Sequence, residues 1–111
     1  MVAHHGRHSA RAMHSSVIRW DWDDLKATLN QQKHKVSFEL AAIALDDPRQ
    51  LSQLDTDSHE HRFKTLARVE DVILLIVHTE PEPEHYSGDL VGRIISARKA
   101  KPAERRAYYN G

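Results

Sequence analysis

The segment that decides the fold runs from residue 62 to residue 77 and reads RFKTLARVEDVILLIV. In its first half, from Arg62 to Val69, polar and apolar side chains alternate, which is typical of a strand with one buried face. In its second half, Val72 to Val77 are all apolar, which favours a strand covered on both faces. Only Glu70 and Asp71 remain to form a turn, and they lack the glycine that two-residue hairpins favour. The segment predicts an antiparallel hairpin whose second strand is central in a sheet.

Further elements are predicted on both sides of this hairpin. Ser37 is a good N-cap for a helix, because its hydroxyl can accept a hydrogen bond from a backbone N–H of the first turn. Pro102 suits the first turn of another helix. Trp22, Leu25 and Leu29 follow the spacing i, i+3, i+7, which predicts one apolar stripe along a preceding helix. In chain order we expect a strand at 17–22, helices at 23–33 and 38–45, strands at 51–54, 62–69 and 72–77, a loop at 80–90, a strand at 91–99 and a helix from 102.

This order of elements predicts an α+β fold. Two N-terminal helices should pack on one face of a mostly antiparallel sheet, and a C-terminal helix ends the chain. Asp21 or Asp23 can cap the first helix. The 111 residues, of which 40% are hydrophobic and 29% charged, fit one domain. Residues 1–16 have no apolar period and are predicted to be a disordered tail, so the domain is expected at 17–111.

Several classes of protein are excluded by features that the sequence lacks. It has no cysteine, which excludes disulfide scaffolds and thiolate zinc sites. Its longest apolar run, Val72 to Val77, is far shorter than the roughly 20 residues of a membrane helix. No apolar signal segment follows Met1, so we expect a cytoplasmic protein. No glycine-rich nucleotide motif is present, and we expect no cofactor.

Charge is distributed unevenly along the chain, although the net charge is zero. Residues 1–16 carry two arginines and no acid, residues 17–90 carry eight basic and fifteen acidic groups, and residues 91–111 carry six basic groups and one acid. A basic C-terminal segment suggests a polyanion such as nucleic acid, or else an ordinary solvated end. Alternation within the strands places five residues on the solvent face of the sheet: Arg62, Lys64, Arg68, Ser96 and Arg98.

Histidines near the hairpin could take part in chemistry. His59 and His61 flank Glu60 and point the same way in an extended chain. With His78 or His85 they could form a metal site, although no HExxH spacing is present. Alternatively, the imidazoles could act as general acid and base, because they titrate near neutral pH. His78 directly follows the central strand, where a histidine is either structural or a candidate acid or base.

The motifs of the chain resemble those of the BrnT toxins. The resemblance rests on blocks that occur in order between residues 17 and 109. They are WD at 20–21 with Lys26 and Asn30, KHKVSFE at 33–39, HEHRF at 59–63, VHTE at 77–80, and RIISARKA at 93–100 followed by ER at 104–105 and Tyr108. The block at 93–100 is the most specific of them.

The resemblance implies a RelE-like ribonuclease fold and a toxin of a type II toxin–antitoxin pair. It further implies cleavage of RNA without a metal, inhibition of translation and growth, and neutralisation by a BrnA antitoxin. That antitoxin is a ribbon-helix-helix protein, through which the toxin would reach operator DNA. The sequence departs from the family at four places. The turn at Glu70 and Asp71 is shorter than usual. Lys35 replaces a usual glycine, Pro81 to Leu90 is inserted, and Lys101 replaces a usual Thr or Ser cap.

Under this hypothesis the ribose 2′-hydroxyl attacks the adjacent phosphorus and leaves a 2′,3′-cyclic phosphate. Charge stabilisation is assigned to Arg62, Arg93 and Arg98, although strict alternation puts Arg93 on the opposite face from Arg98. The other candidates are Glu60, His59 and His78 as base or acid, Tyr108 as positioning group or acid, and Lys64, Arg68, Ser96 and Lys99 as RNA-binding residues.

Two other functions remain open from the sequence. The chain could be a catalytically inactive relative of the toxins that binds a BrnA-type antitoxin and co-regulates transcription. It could also be a metal-binding protein that uses His59, His61 and His78.

Overall fold

The hairpin predicted at residues 62–77 is present and forms the middle of the sheet. In the computed structural model, which describes residues 18–111, its strands pair antiparallel between residues 62–69 and 72–79. Glu70, in the two-residue turn, has a φ of 55°, in the left-handed region where glycine is the usual residue. The predicted tail at 1–16 lies outside the described residues.

The described residues form six strands and three helices. They are β1 (Ile18–Asp21), α1 (Asp24–His34), α2 (Phe38–Ala44), β2 (Leu51–Asp55), β3 (Arg62–Val69), β4 (Val72–Thr79), β5 (Glu82–Pro83), β6 (Leu90–Lys99) and α3 (Pro102–Asn110). The sheet order is β1-β6-β4-β3-β2, and β5 pairs with β6 beside this path. β1 is parallel to β6 and the other pairs are antiparallel, so the sheet is mixed and the α+β class is confirmed. Within residues 18–111, no helix combines the length and the apolar character that a membrane span requires.

The sequence predicts a loop at residues 80–90, but the structure places a two-residue strand within it. β4 ends before this point, so β6 has an unpaired edge there. Glu82 and Pro83 pair along that edge with Val91 and Leu90. Pro83 has no backbone N–H to donate, which is tolerated in an edge strand. The segment therefore extends the sheet.

The main hydrophobic core lies between α1, α2 and one face of the sheet. Asp23 is the residue that caps α1, because its Oδ1 accepts from the N–H groups of Leu25 and Lys26 at 2.8 and 3.1 Å. Ser37 caps α2 as predicted, with its hydroxyl 3.0 Å from the N–H of Leu40. The buried residues of this core are Trp20, Trp22, Val36, Phe38, Ala41, Ala42, Ala44, Leu45, Ala67, Leu74, Ile76, Ile94 and Ala97.

The apolar stripe predicted along α1 is wrong for two of its three residues. Trp22 is buried, but Leu25 and Leu29 are 68% and 53% exposed. The helix turns Ala27 and Asn30 toward the core instead. A helix rotates about 100° per residue, so the exposed leucines fall on its other side. The contact face of this helix is set by a small and a polar residue, which a hydrophobic pattern does not reveal.

Asn30 is buried and joins separate parts of the fold. Its Nδ2 donates to the carbonyl oxygens of Val36 at 3.0 Å and Ala97 at 2.9 Å. Its Oδ1 accepts from the N–H of Ala97 at 3.1 Å. One amide thus holds the α1–α2 connection against β6. In that connection Lys35 has a φ of 61°, a left-handed conformation that favours glycine.

The second face of the sheet, which the sequence predicts to be open, is partly covered by α3. Leu66 and Leu75 project from this face between the cationic side chains, and α3 packs over them. Apolar surface left in water favours such coverage. The buried residues of this second cluster are Leu66, Ile73 and Tyr108, with Leu51, Leu75 and Ala100 packed against them.

We predict that Asn30→Ala lowers the free energy of unfolding by about 2–4 kcal/mol, because it leaves buried backbone groups of Val36 and Ala97 without their partner. Denaturation in urea measures this change. Gln31→Ala is the matched control, since Gln31 is exposed on the same helix and its loss should change stability by less than about 0.5 kcal/mol. Equal effects of the two substitutions would contradict the role given to Asn30.

Candidate functional site

A β-bulge in β6 brings Arg93 to the same face as the other sheet cations. Val77 of β4 pairs with Ser96, but the next residue, His78, pairs with Ile94. One residue of β6 is therefore extra, and the alternation of side chains is shifted beyond it. Arg93 lies beyond the bulge, and its N–H donates to Thr79 Oγ1 at 2.9 Å. Strict alternation predicts the opposite face for Arg93, and that expectation is wrong for this reason.

Glu60 bridges two arginines at this end of the face. Arg62 Nε donates to Glu60 Oε1 at 3.1 Å, and Arg93 Nη2 donates to both carboxylate oxygens at 3.1 Å. The hydrogen bond from Arg62, with the charge of Arg93 close by, lowers the pKa of Glu60 below its ordinary value. Arg62 pairs with Thr79 across β3 and β4, which places the two guanidiniums side by side. The cluster is therefore an ionised carboxylate held between two fixed cations.

This cluster borders a groove of about 370 Å³, which we call the Arg93 groove. It is lined by Asp21, Glu60, His61, Thr79, Glu80, Glu82, Val91, Gly92 and Arg93. His61 Nδ1 lies 3.2 Å from Glu80 Oε1. The side chain of Arg93 is 48% exposed, so the groove is accessible from solvent. Its lining combines carboxylates, a guanidinium and an imidazole, which are the groups that general acid–base chemistry uses.

His78 lies on the other face of the sheet, away from this groove. It is buried between the rings of Trp20, at 5.0 Å, and Phe63, at 6.0 Å. Its Nδ1 is 2.8 Å from the carbonyl oxygen of Thr79, which can only accept, so Nδ1 carries the proton. Its Nε2 then accepts from Thr65 Oγ1 at 2.6 Å. Burial lowers the pKa of His78, and this neutral, doubly bonded imidazole is structural.

Arg98 is held by α3. Its Nη1 and Nη2 donate to the two carboxylate oxygens of Glu104 at 2.8 and 2.9 Å. The hydrogen bonds from Arg98 lower the pKa of Glu104 to about 2. The side chain of Arg98 is only 28% exposed. The expectation that Arg98 projects freely from an open face is wrong, because α3 supplies its partner. Lys101 is the N-cap residue of α3, and its backbone N–H donates to Glu104 Oε1 at 2.8 Å.

Tyr108 is also engaged away from the Arg93 groove. Its hydroxyl donates to Asp47 Oδ2 at 2.6 Å. Burial and the nearby Asp47 carboxylate raise the pKa of Tyr108 to about 12. The same Asp47 oxygen accepts from the N–H of Arg68 at 2.8 Å, and Arg68 Nε donates to the carbonyl of Glu70. Tyr108 and Arg68 therefore fasten α3 and the β3–β4 turn to the segment after α2.

The remaining candidates divide between the two faces. Lys64 and Ser96 both lie opposite Val77, on the face of Arg98, and Lys64 Nζ is 3.9 Å from Asp55. Lys99 pairs with Leu74, whose side chain is in the main core, so it lies on the other side from Arg98. The role of Lys99 in RNA binding stays a prediction.

The histidines expected to ligate a metal are not brought together. His61 lines the Arg93 groove, whereas His59 is exposed outside it and His78 is buried on the other face. In the part of the chain that the structure describes, no three His, Asp or Glu residues are grouped as a metal ion requires. The sequence points equally to His59 and His61. The fold distinguishes them, because His61 lines the groove beside Glu80, which lies 19 residues further along the chain.

The segment at residues 81–90 is anchored to β1 by a charged network. Arg19 Nη2 donates to Glu84 Oε2 at 2.6 Å, and Arg19 also lies 3.8 Å from Asp21 and Asp89. Inside the segment, the N–H of Gly88 donates to the Glu84 carbonyl at 3.0 Å. This segment is thus held against β1, and its Glu82 lines the Arg93 groove.

The family model described as "Ribonuclease toxin, BrnT, of type II toxin-antitoxin system" matches residues 22–104. The match spans α1 to the first turn of α3 and includes Glu60, Arg62 and Arg93. No curated protein matches the chain.

We predict that Arg98→Ala lowers the free energy of unfolding at pH 7 by about 1–3 kcal/mol, because it removes the partner of a half-buried carboxylate. The pKa of Glu104 is about 2 in the folded protein and about 4.5 when unfolded, so this stabilisation is present above pH 4.5 and is lost as the pH falls toward 2. Denaturation at several pH values should show the two proteins converging over that interval. Arg106→Ala, an exposed change on the same helix, is the control and should follow wild type throughout.

Proposed function

Because the chain belongs to the BrnT family of ribonuclease toxins from type II toxin–antitoxin systems, we propose that it cleaves RNA at the Arg93 groove. The observation that carries the proposal is the bulge in β6, which sets Arg93 beside Arg62 with Glu60 between them. Two adjacent guanidiniums suit a phosphate, since each can donate parallel hydrogen bonds to its oxygens. We further propose that the fold is RelE-like.

In the proposed reaction the 2′-hydroxyl attacks the adjacent phosphorus, and a 2′,3′-cyclic phosphate and a 5′-hydroxyl result. Glu60 takes the proton of the 2′-hydroxyl, since it is an ionised carboxylate inside the groove. Arg62 and Arg93 stabilise the extra negative charge on the phosphorane oxygens. No step requires a metal ion. Lys64 and Ser96 would contact the RNA backbone along the same face.

The carboxylate of Glu60 occupies the place between the guanidiniums that a phosphate would take. A phosphate entering the groove would displace it, because carboxylate and phosphate compete for the same N–H donors. The freed Glu60 would lose the hydrogen bonds that lower its pKa and so become a stronger base. Binding of substrate would thereby prepare the group that starts the reaction.

The proposed partner of the chain is an antitoxin that covers the Arg93 groove. A type II toxin has an antitoxin, and we propose a BrnA-like ribbon-helix-helix protein for this chain. The antitoxin would cover the face that carries Lys64 and Arg93, and operator DNA would be bound only through it. Free toxin would act on RNA and inhibit translation and growth.

A second candidate is the inactive module that binds an antitoxin and co-regulates transcription. The charge of the groove favours it. Four carboxylates line the groove around Arg93: Asp21, Glu60, Glu80 and Glu82. Because RNA is negatively charged, this acidic surface opposes its approach. Cleavage by the purified protein distinguishes the two candidates.

We predict that Arg93→Ala lowers the cleavage rate by about a hundredfold or more, the effect of removing one donor to the transition state, and relieves growth inhibition. Arg93 is half exposed, so the melting temperature should hardly change. Rates are followed by RNA 5′-end mapping and single-turnover cleavage, with Arg106→Ala as the control. Wild-type protein that cuts no RNA would favour the inactive module.

Glu60→Gln should separate binding from chemistry. We predict that cleavage falls by about a hundredfold or more because the base is lost. Affinity for an RNA with a 2′-deoxy nucleotide at the cleavage site should be equal to or higher than that of wild type, because the competing carboxylate is gone. Fluorescence anisotropy measures this affinity. A parallel loss of affinity and cleavage would contradict the proposed exchange of Glu60 for phosphate.

Removal of divalent ions tests the metal-free mechanism. We predict that cleavage in excess EDTA proceeds at the rate seen without it, since the proposed charge stabilisation comes from Arg62 and Arg93. Loss of activity in EDTA that zinc or manganese restores would support a metal-dependent reaction instead.

A further inference from the structure

We propose that His61, positioned by Glu80, is the general acid that protonates the leaving 5′ oxygen. This inference rests on the proposed ribonuclease function and adds the second proton-transfer group to it. Cleavage of a phosphodiester by an internal hydroxyl needs a base for the attacking oxygen and an acid for the departing one. Glu60 supplies only the first of these.

The contact between His61 and Glu80 assigns the imidazole nitrogens. Nδ1 lies 3.2 Å from Glu80 Oε1, within ion-pair distance, so Nδ1 is the nitrogen that faces the carboxylate. Nε2 is then the nitrogen that can give up a proton to a substrate. A histidine with one nitrogen fixed by a carboxylate and the other available is the arrangement that general acid–base catalysis commonly uses.

The environment of His61 suits this role. It is next to Glu60 in the chain and lines the same groove as Arg93. The ring is 65% exposed, so a substrate can reach it, and it lies 5.7 Å from the ring of Phe63. The other charged groups that line this groove are Asp21 from β1 and Glu82 from β5, in addition to Glu60, Glu80 and Arg93.

The other candidate acids are placed less well. His78 has both nitrogens engaged and is buried on the opposite face. Tyr108, on α3, donates a hydrogen bond from its hydroxyl to Asp47. His59 is outside the residues that line the groove. Of the histidine and tyrosine residues proposed or considered for proton transfer, His61 is the one that shares the groove with Glu60 and Arg93.

The proton and electron movements balance. The 2′ oxygen forms a bond to phosphorus as its proton passes to the Glu60 carboxylate. The bond from phosphorus to the 5′ oxygen breaks as that oxygen receives the Nε2 proton of the His61 imidazolium. The products are a 2′,3′-cyclic phosphate and a 5′-hydroxyl, with Glu60 protonated and His61 neutral. Exchange with water restores both groups.

The test changes the leaving group. The RNA that wild-type protein cuts is compared with the same RNA carrying sulfur in place of the bridging 5′ oxygen at the mapped site. Sulfur leaves as a thiolate and needs no proton. We expect His61→Gln to lower the rate on the oxygen substrate by about a hundredfold or more, the effect of a general acid, but to leave the rate on the sulfur substrate close to wild type. Equal losses on both substrates, or no loss on either, would overturn the proposal.

Two further variants sharpen the result. His85→Ala replaces a neighbouring exposed histidine that lies outside the groove, and it should behave as wild type on both substrates. Glu80→Gln should lower the rate on the oxygen substrate alone and shift the limb of its pH profile that requires the protonated acid. A Glu80→Gln profile identical to that of wild type would remove the positioning role of Glu80.

The outcomes separate this inference from the proposed function. If wild-type protein yields no cyclic phosphate end, the ribonuclease proposal fails and takes the role of His61 with it. If wild type cleaves and Arg93→Ala does not, but His61→Gln cleaves the oxygen substrate normally, only the inference about His61 fails. Melting temperatures near that of wild type verify that each variant is folded.

Discussion

The hydrogen bonds of Asn30 are the interaction on which the rest of the structure depends. A single buried amide binds the carbonyl before α2 and both backbone groups of Ala97 in β6. β6 in turn pairs with β1, β4 and β5, so fixing it fixes most of the sheet. Burying a side-chain amide costs free energy unless each of its polar atoms has a hydrogen-bond partner. The orientation of α1 that places Asn30 against Val36 and Ala97 is therefore favoured over other orientations of this helix.

The site follows from an irregularity in the same strand. On the C-terminal side of the bulge β6 follows a regular ladder that buries Ala97, and on its N-terminal side the shifted alternation buries Ile94 and turns Arg93 onto the face of Arg62. A regular strand would have placed Arg93 on the side of the core helices. One extra residue thus satisfies both the packing of the core and the grouping of the cations.

The two ends of this face of the sheet have different tasks because their arginines are paired differently. Arg98 is committed to Glu104 and stabilises α3, whereas Arg62 and Arg93 share Glu60 at an accessible groove. An ion pair that docks a helix is expensive to break, since a half-buried charge would be left alone. A pair shared at the surface can exchange its carboxylate for a phosphate at much lower cost.

The sequence by itself determined the elements whose signals are local. Alternation set the hairpin at 62–77, Ser37 set the start of α2, and Pro102 set the start of α3. The motif blocks indicated the family that the match over 22–104 bears out. Only the tertiary structure decided which side of α1 is buried, on which face Arg93 lies, and that Arg98 and His61 have Glu104 and Glu80 as partners. The physical reason is that a periodic pattern reports the direction of a side chain along its own element, whereas these features depend on strand register and on contacts between distant residues.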